Sequence, residues 1–399
     1  MARLAFETLE FTDEKDNVKI IFYRMFYNHI AKSELKKIGK FAVEKNAIVF
    51  PELSDKEANN KFGKILLKSF SHLKNVLNNN PTFYIHSNSG IPLFGALAFG
   101  IVDKGSNMLE VKPLTSCNIN CNFCSVDEGL SSKKQVDFVI EEEYLASEVK
   151  KLLDYKAYKG IDVYINPHGE PTLYAELEAL VRDLRAIKWV NLITIITNGV
   201  LLTEEYVDRL VAAGLNQVNL SINGIDAQKA KIMAGTGKLD IEHIKAIAAY
   251  ISKKVPLIIA PVYVKGYNDS EMPSLIEFAK SANAKIRIQN FLINKQGRNP
   301  AKQLEWEEFE EIMKGYEKQF GVKIFEEFKT EKTKEYKSPF KKGDVIDAEV
   351  FAPGRFFRDK YAMAQGRIIT VPNCDKEGKA KLKITRSLHN VFYGQAVGR

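Results

Sequence analysis

The sequence predicts an α/β protein whose central part is a parallel sheet of six strands covered by helices. Apolar segments of strand length alternate with helical segments between about residues 106 and 300. Parallel strands are buried on both faces and therefore read as continuous apolar runs. The strand candidates are MLEVKPL, IDVYINP, LITIITN, QVNLSI, PLIIAPVYV and KIRIQNF. Segments such as EEEYLASEVKKLLDYKAY and TEEYVDRLVAAG lie between them, which is the alternation typical of β/α units.

Regions with a different pattern flank this array on both sides. Residues 1–105 mix short strand and helix candidates, which predicts an N-terminal α+β extension. Residues 301–337 form a charged connector centred on the helical segment EWEEFEEIMKGYEKQF. Four or five short strand candidates follow and predict a small C-terminal β-barrel. The predicted domains are therefore 1–105, 106–300, 301–337 and 338–399.

Two local patterns in the extension predict individual elements. The stretch DKEANNKFGKILLKSFSHLKNVLNNN predicts one amphipathic helix, because apolar residues recur at steps of three and four. These residues are Phe62, Ile65, Leu66, Phe70, Leu73 and Leu77. Further along, Asp103-Lys104-Gly105 predicts a hairpin turn.

The composition is typical of a soluble globular protein, with 45% hydrophobic and 27% charged residues among 399. No apolar run reaches the roughly 18 residues that a membrane-spanning helix needs. The first segment, MARLAFETLEFTDEKD, turns acidic too early for a signal peptide. We therefore expect a cytoplasmic protein without a membrane partner. Four cysteines, three of them clustered, do not form a disulfide framework, and such a cluster in the cytosol is typical of metal binding.

The net charge of +8 is concentrated near the C-terminus. Residues 331–399 contain 15 Lys or Arg and 8 Asp or Glu, a net of +7 that leaves +1 for residues 1–330. A local basic excess indicates a polyanionic partner. A solvated lysine-rich surface explains the same excess, and charge alone does not decide between the two.

Three of the four cysteines, Cys117, Cys121 and Cys124, lie within eight residues in the spacing C-x3-C-x2-C. A structural zinc site is closed by four ligands, and His168, a candidate fourth ligand, lies on a different predicted loop. A cubane iron–sulfur cluster contains four irons. Three thiolates bind three of these irons and leave the fourth open to another ligand. The spacing therefore favours a cluster over zinc without excluding zinc.

In parallel β/α folds the functional groups gather at the carboxyl ends of the strands, which is where the cysteines lie. The motif Cys117-x3-Cys121-x2-Cys124, with Phe123 before the last cysteine, resembles that of the radical S-adenosylmethionine (radical SAM) enzymes. The resemblance covers about residues 106–295. It implies a partial (β/α)6 barrel, a [4Fe-4S] cluster held by the three cysteines, and S-adenosylmethionine as a second cofactor.

The resemblance also implies cofactor contacts at the ends of successive strands. NPHGEPTLY resembles the family's glycine-glutamate motif, whose backbone binds the methionine amino group. IITNGVLL and LSINGID place polar residues at the same mouth, near the methionine carboxylate or ribose, and APVYVKGYND places valines near adenine. Asn-Gly pairs are also ordinary turn formers, and a glutamate can be a surface acid. The interpretation as cofactor contacts therefore depends on the position of all these residues at successive strand ends. The implied contacts are Phe123, Gly169, Glu170, Pro171, Thr197, Asn198, Ser221, Asn223, Val262 and Val264.

The chemistry that the resemblance implies is radical generation. An electron from the reduced cluster cleaves S-adenosylmethionine to a 5′-deoxyadenosyl radical, which abstracts hydrogen from a substrate carbon. The protein contributes positioning and exclusion of water. No side chain is required as an acid or base, so we assign no catalytic residue from the sequence. An external electron donor is required for the cluster.

The C-terminal segment, from FKKGDVIDAEV to VFYGQAV, resembles a TRAM domain, a small RNA-binding β-barrel. Lysines alternate along KAKLKITRSL, which places several positive groups on one face of a strand. Aromatic residues of this region either stack on unpaired bases or fill the barrel core. Cys374 follows a turn, and we interpret it as a structural thiol. The candidate RNA contacts are Arg355, Arg358, Arg367, Lys379, Lys381, Lys383 and Arg386.

A radical enzyme with an RNA-binding barrel indicates RNA modification, with tRNA as the expected substrate. Residues 1–116 contain no cysteine, so a second cluster of the kind that methylthiotransferases carry is not expected. The sequence does not decide which reaction occurs on the RNA. One alternative is a radical SAM enzyme that acts on a small molecule, peptide or lipid, with a purely structural barrel. Another is a zinc-stabilised RNA-binding protein without catalysis.

Overall fold

The computed structural model describes residues 1–325 and 330–398. The chain forms two compact units. The first contains Met1–His86 and the short segment Gln135–Val139, and the second contains Ser87–Lys134 and Ile140–Arg399. All the candidate site residues of the sequence belong to the second unit.

The first unit is built from short antiparallel strands and helices. Two sheets have the strand orders β1-β6-β5 and β2-β3-β4-β7. Every second residue of β3 is buried, which is the pattern of a sheet with one face on a core. The strands are β1 (Ala2–Ala5), β2 (Leu9–Asp13), β3 (Asn17–Phe22), β4 (Phe26–Ala31), β5 (Ala42–Glu44), β6 (Ala47–Phe50), β7 (Lys74–Asn75) and β8 (Thr82–Ile85), and the helices are α1 (Lys32–Lys36) and α2 (Asp55–Phe70).

Helix α2 is shorter than the sequence predicts. Ser54 and Glu57 form a reciprocal capping box at its start. The helix ends at Phe70, so the last two apolar residues of the predicted stripe lie beyond it. There the side chain of Asn75 accepts a hydrogen bond from the N–H of Leu77 at 2.9 Å. Such a local side-chain turn competes with helical hydrogen bonding, which the apolar spacing alone does not reveal.

The second unit is organised around a sheet in which six neighbouring strands, all before residue 325, are parallel. The sheet has the strand order β9-β10-β12-β13-β14-β15-β17. The strands of this part are β9 (Gly100–Asp103), β10 (Met108–Lys112), β11 (Asp137–Ile140), β12 (Ile161–Ile165), β13 (Val190–Thr197), β14 (Gln217–Leu220), β15 (Leu257–Ile259), β16 (Val262–Tyr263), β17 (Lys285–Ile286) and β18 (Gln289–Asn290). Most of β11 belongs to the first unit, where it pairs with β8.

Two details of this sheet differ from a simple array of six strands. β9 is antiparallel to β10, and the predicted turn Asp103-Lys104-Gly105 follows it. The fifth predicted strand is divided into β15 and β16 around Pro261, which has no N–H to donate to a neighbouring strand. The sixth predicted strand, KIRIQNF, is likewise divided, into β17 and β18. β16 and β18 pair in parallel beyond the main sheet.

The helices between the strands bury one apolar face each. In α4, for example, Leu177, Leu180, Val181 and Leu184 are buried. The helices are α3 (Glu142–Lys156), α4 (Leu177–Ala186), α5 (Glu204–Ala213), α6 (Ala227–Ala234), α7 (Ile241–Ile251), α8 (Met272–Ser281) and α9 (Trp306–Phe320). Short 3-10 turns occupy Ser87–Ser89, Pro171–Leu173 and Asp269–Glu271. Helix α9 matches the helical segment predicted for the connector.

The C-terminal strands close into a barrel of order β19-β20-β21-β23-β22. These strands are β19 (Val345–Pro353), β20 (Lys360–Ala364), β21 (Arg367–Val371), β22 (Gly378–Leu388) and β23 (Val391–Ala396). Phe392 and Cys374 lie in its buried core, as expected for a core aromatic residue and a structural thiol. The fold class is therefore the predicted one, a partial (β/α)6 barrel with an α+β extension and a small C-terminal β-barrel.

Within residues 1–325 and 330–398, the helices are all too short or too polar to cross a lipid bilayer.

Candidate active site

The three clustered cysteines lie on residues 114–129, here called the cysteine loop, which follows β10. The backbone of the loop is fixed to the C-terminal end of α6: Asn120 N–H donates to the Ala234 carbonyl at 2.9 Å, and Asn122 N–H donates to that of Met233 at 3.2 Å. Gly235 permits this approach, because a Cβ there would lie 2.0 Å from the Asn120 carbonyl oxygen. The loop is therefore held by main-chain contacts that do not involve the thiols.

The thiols lie in surroundings that disfavour thiolates without a bound cation. The three cysteines are only half-buried as whole residues. Burial of the thiol, followed by the proximity of Cys121, nevertheless raises the pKa of Cys117 well above its usual value. Burial and the proximity of Cys124 raise the pKa of Cys121 to about 12. A coordinated metal cation reverses this balance, because a thiol bound to a metal is deprotonated.

The donor set of the cysteine loop fits an iron–sulfur cluster. Two buried atoms of the loop, Asn118 Nδ2 and Asn122 Oδ1, lack a hydrogen-bond partner among the described residues. Such atoms cost free energy, which a polar group bound beside the thiols relieves. In the described part of the chain, no three His, Cys, Asp or Glu side chains are grouped to hold a metal ion. A four-iron cluster does not need its ligands to converge on one ion, since each cysteine binds a different iron.

The Gly-Glu-Pro segment after β12 lies directly against the cysteine loop. The N–H of Glu170 donates to the carbonyl oxygen of Ser116 at 2.7 Å. At Gly169 the backbone has φ +151°, and a Cβ there would lie 1.9 Å from the same carbonyl oxygen. Pro171 is buried and begins the 3-10 turn that follows. Glycine is therefore required at position 169 because two main chains pass each other without room for a side chain.

The carboxylate of Glu170 is buried and connects two strand ends. It accepts hydrogen bonds from Thr197 Oγ at 2.6 Å, from Asn198 N–H at 2.8 Å and from Thr172 N–H at 3.1 Å. Burial raises the pKa of Glu170, and these hydrogen bonds oppose that rise. The side chain of Glu170 is thus occupied by hydrogen bonds inside the protein.

Asn198 connects the end of β13 to the cysteine loop. Its Nδ2 donates to Asn118 Oδ1 at 2.8 Å. The next strand end is joined to the same place, since Ser221 N–H donates to the Thr197 carbonyl at 2.9 Å. Four of the predicted site residues line a single cavity: Cys121, Asn198, Ser221 and Asn223. The structure therefore brings together residues that the sequence separates by about a hundred positions.

The fifth strand end contributes the predicted valines and one residue that the sequence reasoning did not identify. Asn223 Oδ1 accepts from the Val262 N–H at 2.9 Å. Buried Asn268 donates from its Nδ2 to the carbonyls of Asn223 and Val262, both at 2.9 Å, and accepts from the Val264 N–H at 2.8 Å. Val262 and Val264 pack with Phe123 in one apolar cluster. An asparagine just after a strand end was the available signal for Asn268.

Arg298, on the loop after β18, is a second residue that sequence reasoning missed. Its guanidinium donates to the carbonyls of Cys121 and Glu128, both at 2.7 Å, and pairs with Asp127 at 2.8 Å. Its own N–H donates to the Cys124 carbonyl at 2.9 Å. One arginine thus fixes the cysteine loop at three main-chain positions. Nothing in the local sequence marks it, because its partners lie about 170 residues earlier.

Comparison with known proteins agrees with this geometry. The model of the family described as the radical SAM superfamily matches residues 111–279, which include the cysteine loop and the strand ends described above. The chain belongs to the radical SAM superfamily. Radical SAM enzymes use a [4Fe-4S] cluster and S-adenosylmethionine.

Several individual proteins are similar to this radical SAM chain. An uncharacterized protein of Methanocaldococcus jannaschii is 34% identical, over 91% of this chain and 94% of its own. The GTP 3′,8-cyclase of Peptoclostridium acidaminophilum is 30% identical over 46% of this chain, which spans 54% of the cyclase. Among solved structures, Streptococcus suis SuiB bound to its precursor peptide SuiA has a TM-score of 0.43 at 17% identity, covering 81% of this chain and 71% of SuiB. Archaeal TYW1 has a TM-score of 0.37 at 17% identity, covering 53% of this chain and 72% of TYW1.

A large cavity, here called the cleft, lies between the cysteine loop of the radical SAM domain and the C-terminal barrel. Its volume is about 1120 Å³. Ser125 and Val126, directly after Cys124, form part of its wall. The loop after β18 and the barrel form the rest. The charged and aromatic residues that line it include Lys133, His168, Lys295, Arg298, Arg355, Phe356, Asp359, Tyr361, Arg386 and Tyr393.

The structure divides the predicted RNA contacts into three groups. Arg355 and Arg367 are buried, so they do not belong to the exposed basic surface that the sequence predicts. Arg367 stacks on Tyr336 with 4.5 Å between guanidinium and ring centre. Arg358 is exposed but pairs with Asp375 at 2.6 Å. The remaining four, Lys379, Lys381, Lys383 and Arg386, are exposed.

The three exposed lysines lie on a face that also carries acids. Strand pairing places Lys379 opposite Glu349 and Lys381 opposite Asp347. Opposite charges on directly paired residues attract each other, so this face is less positive than the lysines alone suggest. Arg386 differs from them because a register shift in β22 lies between Ile384 and Arg386. Such an irregularity redirects side chains, and Arg386 faces the cleft.

Proposed function

We propose that this radical SAM enzyme modifies a carbon centre of an RNA, with tRNA as the expected substrate. In this proposal Cys117, Cys121 and Cys124 hold the cluster, and the RNA enters the cleft beside the cysteine loop. When bound, the cluster and S-adenosylmethionine supply a carbon-centred radical that abstracts hydrogen. The observation that carries the proposal is the cleft, because its charge and its aromatic rings suit a nucleotide.

The charge of the cleft favours an anionic ligand. Lys133, Lys295 and Arg386 line it, and within residues 1–325 and 330–398 none of the three forms an ion pair. Asp359, a half-buried acid of the same lining, forms no ion pair among the described residues. Burial raises the pKa of its carboxyl, and the charge of Lys295 opposes that rise. Unpaired cations attract phosphate groups, whose binding releases counterions.

The aromatic residues of the cleft supply surfaces for base stacking. Tyr393 lies beside Arg386, with 5.7 Å between the guanidinium and the ring centre. Phe356 lines the same cavity and is partly exposed. RNA-binding proteins recognise unstacked bases on aromatic rings and arginine planes. Cations and rings in one cavity therefore support a nucleotide within a strand as the ligand.

The position of the cleft supports a catalytic role for it. Ser125 and Val126 form part of its wall and follow Cys124 without a break. A nucleotide in the cleft is therefore close to the loop that carries the thiols. Proximity of this kind is the main contribution that a protein makes to radical chemistry, together with exclusion of water.

A second candidate is a radical SAM enzyme that acts on a free purine nucleotide in the same cleft. The GTP 3′,8-cyclases that this chain resembles favour it, since their similarity includes about half of this chain. In this case the barrel only completes the wall of the cavity. The same cations would contact the phosphates of the free nucleotide.

Filter binding of tRNA over a salt series tests the proposal and separates it from the alternative. The variant with Lys295→Ala and Arg386→Ala should bind tRNA more weakly and lower the salt slope by about one unit for each charge. The matched control, Lys379→Ala with Lys381→Ala, removes two lysines that face acids and should change binding less. Equal effects of both double variants, or displacement of tRNA by a small excess of free GTP, would contradict the RNA proposal.

A further inference from the structure

We propose that Arg355 of the C-terminal barrel is a positioning residue for the cysteine loop. The barrel is then part of the apparatus that holds the iron–sulfur cluster. This inference concerns the holding of the cluster and does not depend on whether the substrate is RNA.

The guanidinium of Arg355 is buried against the cysteine loop. One of its nitrogens donates to the Val126 carbonyl at 2.9 Å and to Glu128 Oε1 at 2.5 Å. The other lies 3.2 Å from His168 Nδ1. An arginine has donors only, so Nδ1 of His168 accepts this hydrogen bond. The barrel thereby contacts the segment directly after Cys124 through two hydrogen bonds from one side chain, and a third joins the same side chain to His168 on the loop after β12.

Glu128 connects this arginine to a cluster thiol. Its carboxylate is buried and also pairs with the buried amine of Lys134, which donates to the Thr115 carbonyl at 3.3 Å. The backbone N–H of Glu128 donates to the Sγ of Cys124 at 3.3 Å. Arg355 is therefore linked to the sulfur through Glu128: it binds the Glu128 side chain, and the Glu128 main chain binds the Cys124 sulfur.

The turn that carries Arg355 is fixed within the barrel. Gly354 N–H donates to the Asp359 carbonyl at 2.6 Å. A Cβ at Gly354 would lie 2.5 Å from the Asp359 Cβ, so a side chain has no room there. The turn that carries Arg355 is thus closed by a main-chain hydrogen bond. Through this side chain, the position of the barrel should affect the position of the cysteine loop.

The physical consequence concerns the cluster. Hydrogen bonds to cluster sulfurs and cysteine sulfurs help to set the reduction potential. Removing partners that orient metal ligands costs about 10- to 100-fold in metal affinity. Loss of Arg355 should leave the Glu128 carboxylate with one cation instead of two and release the Val126 carbonyl. The Glu128 N–H then loses one of the contacts that hold it toward Cys124, and the contacts of Glu128 with Lys134 and Arg298 remain.

The test compares Arg355→Ala, Arg355→Lys and the control Arg358→Ala. Arg358 belongs to the same turn but is exposed and pairs with Asp375 on the barrel surface. In the apoprotein, hydrogen exchange of the segment 124–128 should accelerate in Arg355→Ala and remain unchanged in Arg358→Ala. In the reconstituted protein, iron affinity against a chelator should fall about 10-fold in Arg355→Ala. Arg355→Lys should restore part of both, because an amine keeps the charge but not the forked geometry.

A second variant keeps the test decisive if Arg355→Ala disturbs the barrel itself. The reactivity of Cys374, buried in the barrel core, reports such a disturbance. Glu128→Gln breaks the same contact from the cysteine loop and leaves the barrel sequence intact. It should also accelerate exchange, lower iron affinity and alter the electron paramagnetic resonance spectrum of the reduced cluster. The proposal is overturned if Glu128→Gln and Arg355→Lys retain iron and exchange rates like those of Arg358→Ala.

Discussion

The N–H of Glu170 donates to the carbonyl oxygen of Ser116 across 2.7 Å, and Ser116 directly precedes Cys117. This contact joins the ends of β10 and β12. We propose that the backbone of Gly169 and Glu170 binds the methionine amino group of S-adenosylmethionine. The contact with Ser116 places this backbone beside the cysteine loop. A radical SAM enzyme must hold cluster and cofactor in a fixed relation, and we propose that this main-chain hydrogen bond contributes to it.

Gly169→Ala is expected to separate these two segments, because the new Cβ would lie 1.9 Å from the Ser116 carbonyl oxygen. Cofactor binding should be lost, and iron content should fall as the cysteine loop shifts. The control is Gly160→Ala, which also has a positive φ but whose Cβ would meet only the Tyr158 ring at 3.8 Å. Equal iron content and equal cofactor affinity in both variants would contradict the assigned contact.

The cluster ligands are tested by replacing each cysteine with alanine. Anaerobically reconstituted protein should hold about four irons and four sulfides. Cys117→Ala, Cys121→Ala and Cys124→Ala should each lose them. Cys374→Ala should retain them, since its thiol lies in the core of the barrel. Iron analysis that finds a full cluster without Cys121, or none without Cys374, would refute the assignment.

Glu170→Gln should weaken both the fold and cofactor binding. The carboxylate accepts from Thr197 and Thr172 at one oxygen and from the Asn198 N–H at the other. In glutamine one of these acceptors becomes an amide donor, and a donor then faces a donor. A buried unsatisfied group costs about 1–3 kcal/mol in the free energy of unfolding.

The control for this substitution is Glu178→Gln, which removes a carboxylate from exposed ion pairs with Arg182 and Arg209. Exposed pairs contribute about 0–1 kcal/mol. Denaturant unfolding and calorimetric binding of S-adenosylmethionine to cluster-loaded protein measure the two effects. A Glu170→Gln protein as stable and as tight-binding as Glu178→Gln would show that the buried carboxylate does not organise the site.

Glu142, at the start of α3, is expected to give the fold a measurable pH dependence. Burial, followed by Asp183 and Glu176, raises the pKa of its carboxyl to about 7. A raised folded-state pKa means that protonation stabilises the fold. This contribution is fully present below the unfolded-state pKa, near 4.5, and is lost as the pH rises through 7.

Glu142→Gln, which is neutral at every pH, should therefore gain stability relative to the parent as the pH rises across this window. The measurement is the free energy of unfolding in urea at a series of pH values. Glu205→Gln, which removes an exposed carboxylate that does not act on Glu142, serves as the control. Parallel pH profiles for parent and Glu142→Gln would contradict the environment described for this carboxyl.

The parts of the fold that the sequence predicts well are those set by local pattern. Apolar runs predict the six parallel strands, because such strands are buried on both faces. The alternation of Lys379, Lys381 and Lys383 correctly predicts one exposed face of β22. The short strand Lys360–Ala364 is hard to predict from the sequence, because KYAMA lacks the regular alternation of apolar and polar residues in a half-buried strand.

The parts that the sequence does not predict depend on contacts between distant residues. Glu349 and Asp347 lie opposite two of the lysines only through the register of β19 and β22. Arg298 reaches Cys121 from 177 residues away, and Arg355 reaches Glu128 from 227. A basic residue in a basic tail predicts a surface charge, and only the folded structure shows that Arg355 is buried.

We propose that the radical chemistry of this enzyme is directed at RNA. The most direct measurement is nucleoside mass spectrometry of tRNA, taken from cells that lack this protein, before and after incubation with the reduced, cluster-loaded enzyme and S-adenosylmethionine. If the radical is directed at RNA, a nucleoside of changed mass should form together with 5′-deoxyadenosine and should be absent with the Cys121→Ala protein. Formation of 5′-deoxyadenosine while every nucleoside keeps its mass would contradict the RNA claim and would favour a free nucleotide or another small substrate.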